Sequence, residues 1–416
     1  MRRLLAILAP CALLLAACSS PPEVTEDRGV ASFERVNDDA AARSLSAFAT
    51  DLGLRLLAAS EVDENVVVSP ASLTLALAML AEGASGEGAA QLDAALGASG
   101  SDRSRASAAL LTVLADLDSD PAAFDPDSPP DHPVLHLANR VVLDDDITPN
   151  EEFLEALAHF HDAGVAVTDF SNPASVDVLS AWVTEHTAGL IEESAIEPDP
   201  RTRLVLQNAV LFGARWLEPF EEGQTEERPF TLGSGTEVSV PTLADERHIP
   251  FASEGGWGAV ALPYTEDFET LVILPPEGTD PTDIDTATLR ALRVGLAEGG
   301  AQVDLQIPAL DVTSTVDVFA ALDTLGLSSL TREGNLRGIA DEDSDVVGAA
   351  TQQTVLRVNE QGTIAAALTE IGVRAMAAMP EPVEVVFHVN RPYLFTVEHS
   401  DTGIVVMSGA IRDPRG

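Results

Sequence analysis

The chain has 416 residues, 45% of them hydrophobic, enough to bury one large core or two ordinary ones. Its charge is one-sided: 67 Asp plus Glu stand against 23 basic residues, all of them Arg, for a formal net charge of -44. A field of that sign repels nucleic acid and anionic lipid, and no basic stripe is present for a heparin-like polyanion, so polyanion-binding functions are excluded.

Arg2 and Arg3 open the chain, followed by an apolar run over residues 4–15. That run has signal-peptide length and is too short to span a bilayer. Leu15-Ala16-Ala17-Cys18 then resembles the lipobox of bacterial lipoproteins, in which the Cys becomes the first mature residue and its thiol carries the lipid. An ordinary signal peptide cut near an Ala-x-Ala-like site is the alternative. The expected organisation is a signal peptide over 1–17, a polar tether over 18–38 lipid-anchored at Cys18, and one folded domain over 39–416. The product would be exported and held on a bacterial membrane, on its periplasmic or cell-surface side, or released from the cell. Only Cys11 and Cys18 exist, and cleavage removes the first, so no disulfide pair remains.

In chain order, Leu45, Phe48, Leu52 and Leu56 share one face and predict a helix over 42–59. Residues 66–68 suit a short buried strand. Ser69 suits an N-cap, with Pro70 at the first helical position and Gly83 at the end. Another helix ends near Gly97. The Asp- and Pro-rich stretch 118–133 reads as an exposed loop. A strand near 134–143 leads to a helix start at Thr148, Pro149 and Glu151 with a capping-box arrangement. A longer helix is expected over about 174–193. Strands then dominate, at 203–213, 226–231, 236–241, 257–263, 268–274, 301–308, 344–359, 383–389, 391–398 and 404–411. Helices near 284–298 and 314–325 interrupt them. This mixture, without an internal repeat or clear linker, predicts an α+β single domain.

Enzyme signatures are missing. His159, His161 and Asp162 cluster in sequence, but positions two apart do not share a helix face, so no metal site is expected there. Neither a His-Glu-x-x-His, a Gly-x-Ser-x-Gly nor a phosphate-binding glycine loop is present. The chain is therefore read as a non-enzyme without cofactors. The unusual segment is 360–380, EQGTIAAALTEIGVRAMAAMP, which is long for a connection between two strands. Read with a period of two, Thr363, Ala365, Ala367, Thr369, Ile371, Val373 and Ala375 form one charge-free row. Glu370 and Arg374 both fall on the other row, with Ile364, Ala366, Leu368, Gly372 and Met376. A strand with one face buried in a sheet needs this pattern, and a flexible Ala-rich loop fits it equally.

Several ordered stretches resemble the serpin family: NVVVSPASLTLALAMLAEGASGEGAAQL at 65–92, LVLQNAVLFGARWLEPF at 204–220 with Asn208, Phe212 and Trp216, and Asn335 to Ile339. Val358 to Thr363 looks like the family's loop hinge, and Asn390 to Phe395 with Gly409 like its C-terminal signature. The resemblance runs from about residue 40 to 412. It implies three β-sheets, about nine helices and an exposed reactive loop over 360–382. It also implies a suicide-substrate inhibitor that forms a covalent complex with an extracellular or periplasmic serine protease, as a monomer. A non-inhibitory serpin, acting as a binding protein or chaperone, is the alternative.

The family's spacing from Glu360 places the scissile bond at Met376–Ala377, with Ala375–Met376 open as a neighbour. Met there suits elastase-, chymotrypsin- or subtilisin-like proteases, whereas a trypsin-like target would need Arg374, two residues out of register. The implied hinge comprises Glu360, Gln361, Gly362, Thr363, Ile364, Ala365, Ala366 and Ala367. Ile364 stands where Glu is common and Leu368 where a small residue is usual. Ser69, Ser72, Ser180, Trp216 and Gln352 correspond to the region that lets the main sheet open. Ser180 and Gln352 replace the usual Asn and His, and a Gln352–Ser180 hydrogen-bond arrangement is expected in their place. Trp216 is expected where the loop begins to insert.

Overall fold

The computed structural model describes residues 24–60, 64–115, 117–125, 130–197, 200–340, 348–363 and 383–416. Its centre is the helix Pro70–Glu82, in which every residue from Pro70 to Ala81 is buried. A helix apolar on all sides belongs inside a large core. Ser69 caps it, its side chain accepting from Ser72 N, and Pro70 follows at the first helical position.

A seven-stranded sheet lies against this helix, in the order Thr25–Asp27, Val165–Thr168, Val134–Asp144, Leu204–Arg215, Gly362–Thr363, Ala349–Val358, Leu310–Asp317. Leu204–Arg215 is buried along its length except at Arg215, as a strand covered on both faces should be. The helix Ser175–His186 covers the opposite face. There Leu179 O accepts from Gln207 and Val178 O from Arg140. A nine-stranded assembly completes the fold. Its eighteen-residue strand Glu237–Glu254 pairs with Glu226–Thr231 and Gly300–Pro308 over most of its length, then with Trp257–Pro263 at its end. The three implied sheets are thus joined by hydrogen bonds into two assemblies. One apolar cluster runs from Leu45 to Ile411 through both. Eight α-helices occur among the described residues, and none of the helices there is long and apolar enough to cross a membrane.

Several expectations are corrected. Residues 310–317 form a strand, and only Val318–Ala321 is helical where a helix over 314–325 was expected. The alternation of LDVTSTVD, buried and exposed by turns, has the period of a strand. The helix Gly100–Ala115 was not anticipated, because its polar first half hides the apolar stripe. The capping box at Thr148 does not form: Asn150 is the N-cap of Glu151–His161 and bonds Arg337 O and Gly338 O through its side chain. The helix expected to reach 193 ends at His186. The strand Val165–Thr168 was missed, being a short, wholly buried run without alternation.

The expected tether is corrected over residues 24–38. Thr25–Asp27 adds an edge strand to Val165–Thr168. Glu155 accepts from Val30 N at 2.8 Å and Ala31 N at 2.9 Å with its two oxygens, and Val36 N donates to Thr112 Oγ1. Backbone amides bound by side chains dock a segment whatever its polarity. Replacing Glu155 with Ala should therefore expose residues 28–36 to limited proteolysis, at a cost of about 1–2 kcal/mol. An unchanged digestion pattern would show that the segment is held by other contacts.

Candidate functional site

Leu204–Arg215 and Ala349–Val358 are the two parallel strands at the middle of the seven-stranded sheet. They pair from Ala349 opposite Val205 to Thr354 opposite Val210, and then part. Gly362–Thr363 enters the far end of the opening between them, antiparallel to both: Gly362 pairs with Arg215, and Thr363 with Ala214 and Val358. The chain gets there by reversing immediately after the strand Ala349–Val358. Asn359 N donates to Gly362 O at 3.0 Å, and Asn359 Oδ1 accepts from Gln361 N at 2.9 Å and Gly362 N at 3.2 Å. An Asn side chain that bonds the backbone two residues on is a local turn device.

The turn is clamped from the far end of Leu204–Arg215. Trp216 N donates to Gln361 O and Trp216 Nε1 to Asn359 O, both at 2.9 Å. Phe220 N donates to Glu360 O, and Thr225 Oγ1 to Glu360 Oε1 at 2.6 Å. The Trp216 ring stacks on Tyr264 at 4.5 Å and 8°. Tyr264 shares hydrogen bonds with Thr363 Oγ1 at 2.6 Å and Thr270 Oγ1 at 2.5 Å. Burial pushes the Tyr264 phenol well above its usual range, so it stays protonated and keeps both bonds. Gly362 passes so close to its neighbour that an added Cβ would lie 2.1 Å from Ala214 O. Only glycine fits there without displacing a strand.

Below the opening, a polar row crosses three strands. Register places Asn139, Asn208 and Gln352 side by side. Asn208 Nδ2 donates to Ser72 Oγ at 2.6 Å and to Asn139 Oδ1, and Gln352 Nε2 donates to Asn208 Oδ1 at 2.6 Å. Gln352 also grips Ser69 on both sides: its Oε1 accepts from Ser69 N at 2.7 Å and its Nε2 donates to Ser69 O at 3.1 Å. The row therefore ties both central strands to the start of the buried helix. A second set lies on the other face. Gln353 Oε1 accepts from Ala195 N, Gln353 Nε2 donates to Glu193 O, and Gln207 Nε2 donates to Leu179 O.

These positions correct the expected Gln352–Ser180 arrangement. Ser180 Oγ instead accepts from Ser194 N at 3.0 Å. Ser180 stands with the second set, while Gln352 faces Ser69 on the other side of the sheet. Successive residues of a strand point to opposite faces, so Gln353, not Gln352, reaches the Ser180 side. Ser69, Ser72 and Gln352 come together, Trp216 lies at the turn, and Glu360, Gln361, Gly362 and Thr363 form the turn and its short strand. Ile364, Ala365, Ala366, Ala367, Met376, Ala377 and Cys18 lie outside the described residues. The sequence reading missed Asn139, Thr225 and Tyr264, which reach the site from distant positions with no local motif. His159 bonds Glu34, His161 bonds Glu82 and Asp162 bonds Arg28, so these neighbours in sequence face separate partners.

A family model described as serpin (serine protease inhibitor) matches residues 43–414. The chain belongs to the serpin family. It is 31% identical over 371 residues to Iripin-2 of Ixodes ricinus, covering 86% of this chain and 91% of that one. To plasminogen activator inhibitor 1 of Neovison vison it is 28% identical over 383 residues, 88% and 92% of the two chains. A crystal structure of a thermophilic serpin, tengpin, in the native state superposes with a TM-score of 0.76 at 23% identity, covering 93% of this chain and 97% of that one, a likeness of fold. The α+β serpin fold is thus established for this chain.

Two substitutions test the site. Gln352→Ala in this serpin leaves Ser69 N–H buried without its acceptor and Asn208 Oδ1 without a donor, so stability should fall by about 1–3 kcal/mol for each such group. A denaturation midpoint equal to that of the parent would refute the row as a tie between the strands. Gly362→Val should drive residues 362–363 out from between the strands at a cost of roughly 1–3 kcal/mol. Hydrogen exchange at Ala214 and Val358 should then quicken, and unchanged exchange would contradict the close fit.

Proposed function

We propose that this serpin is a suicide-substrate inhibitor of serine proteases, with the segment after Thr363 as bait. The observation that carries the reading is the seating of Gly362–Thr363 between two parallel strands that part beyond Thr354 and Val210. Thr363 points inward, fully buried against Tyr264. Continued insertion would carry Ala365, Ala367, Thr369, Ile371, Val373 and Ala375 on the same inward row, which holds no charge. Glu370 and Arg374 would remain on the outward row.

In the proposed reaction a protease serine Oγ bonds to the Met376 carbonyl carbon, the Met376–Ala377 C–N bond breaks, and the leaving amine of Ala377 takes the proton. Met376 is then held as an ester on the protease. The freed strand separates Ala349–Val358 from Leu204–Arg215 and pairs antiparallel with both. A fourteen-residue strand spans roughly 46 Å, so an attached protease would be carried a comparable distance before the ester hydrolyses. The protein would be consumed in one event, without turnover. The apolar Met376 suits elastase-, chymotrypsin- or subtilisin-like proteases. Anchoring through Cys18 outside the cytoplasm is part of the same proposal.

The test is incubation of a form beginning after residue 18 with elastase, chymotrypsin, subtilisin and trypsin. A covalent complex stable on a denaturing gel, releasing a peptide that begins at Ala377, is the expected outcome. Cleavage by every protease with no complex would contradict inhibition and favour a non-inhibitory binding role.

A further inference from the structure

The strand Val134–Asp144 runs out into a group of acids at the end of the sheet opposite the turn. Leu143 pairs with Leu204, the first residue of the central strand, whereas Gly362 pairs with Arg215, its last. Asp144, Asp145 and Asp169 each bring one carboxylate oxygen within 4.8 Å of the others. Oxygens that share one calcium ion, each about 2.3–2.6 Å from it, have spacings of this size. Arg203 bonds Asp144 at 3.1 Å and the neighbouring Asp146 at 2.7 Å. Among the described residues no other ion pair reaches these four carboxylates, so one guanidinium faces four negative charges.

Acids in proximity are commonplace in a chain of net charge -44 and select nothing by themselves. Thr168 sets this group apart. It pairs with Asp144 in the parallel ladder, and directly paired residues project to the same face of a sheet. The chain then folds over that face, because Phe170 N donates to Asp144 Oδ2 at 3.2 Å, with Asp169 between Thr168 and Phe170. Thr168 is 1% exposed, and its hydroxyl has no hydrogen-bond partner. A buried hydroxyl without a partner is uncommon in a native fold, and its oxygen has lone pairs that a cation can take. Asp144 is itself buried, while Asp145 is exposed and Asp169 half-buried, so the group runs from the sheet surface out to solvent.

We propose that Asp144, Asp145 and Asp169, with the Thr168 hydroxyl, hold a calcium ion between the ends of the strands Val134–Asp144 and Val165–Thr168. Donors that are all oxygen and mostly anionic select a hard divalent cation. An irregular set drawn from two strand ends and a turn suits calcium, whose shell is flexible, better than the strict octahedron of magnesium. The ion would join both strand ends to the connection that leads into Ser175–His186. The site lies apart from the reactive segment and does not depend on protease inhibition.

The experiment is calorimetric titration of the intact, chelator-treated chain with calcium and with magnesium, in enough sodium chloride to screen the general negative field. Saturable one-to-one calcium binding is expected, with a Kd of about 0.1–1 mM, as in extracellular calcium modules. Magnesium should bind about tenfold or more weakly. Asp145→Asn together with Asp169→Asn should abolish the saturable phase, whereas Glu226→Gln with Glu227→Gln, an equal loss of charge on a distant strand, should leave it. Thr168→Val should weaken calcium binding about tenfold. In chelator its thermal midpoint should not fall below that of the parent, because the hydroxyl it removes has no partner. Absence of saturable calcium binding by the parent up to about 10 mM would overturn the proposal, and that arm needs no variant to fold. Magnesium binding as tight as calcium binding, or calcium binding untouched by the paired Asn substitutions, would overturn it too. So would a Thr168→Val midpoint lowered equally with and without calcium, which would mark the hydroxyl as purely structural.

Discussion

Two parallel strands that pair for only part of their length set the terms for the rest of this molecule. From Val205 to Val210, Leu204–Arg215 has Ala349–Val358 as its neighbour; at Ala214 and Arg215 it has Gly362–Thr363. Parallel pairing is slightly weaker per residue than antiparallel pairing. A third strand entering between the two would exchange one parallel ladder for two antiparallel ones. The described state is therefore one in which backbone hydrogen bonds remain to be gained at the centre of the sheet, the reverse of the usual case in which only edges are open.

Such a state needs devices that keep the strands together, and they lie on both faces. On one face Gln352, Asn208 and Asn139 are tied to Ser69 and Ser72 at the head of the buried helix. On the other, Gln353 and Gln207 are tied to the segment around Ser194 and to the covering helix. Fully satisfied buried polar groups hold their geometry closely, and the loss of one partner leaves a costly orphan. The clamp of Trp216, Tyr264 and Asn359 works differently. It fixes where the chain turns back, so that the residue after Gly362 is delivered into the gap in register.

Much of this was legible in the sequence because it is local. Ser69-Pro70 announced a capped helix, and residues 203–213 a strand. Gly362 belongs to the hinge that the resemblance implies, although its sharper role is the close approach to Ala214 O. What failed was non-local. Gln352 was expected to reach Ser180, and the single-residue parity that separates it from Gln353 decides which face it serves. Tyr264 lies about a hundred residues from Thr363 in sequence, and no spacing rule joins them. The docking of residues 24–36 was hidden because polar composition reports on solvation and not on which amides a Glu155 will bind.

Inhibition by insertion requires that the central strands accept a full strand after cleavage of the segment that follows Thr363. The direct measurement is thermal unfolding of the chain before and after one cleavage within residues 370–378 by a catalytic amount of protease, with the fragments left associated. Insertion predicts a midpoint higher in the cleaved form and slower hydrogen exchange along Leu204–Arg215 and Ala349–Val358. A midpoint equal to or below that of the uncut chain, with exchange unchanged, would contradict it.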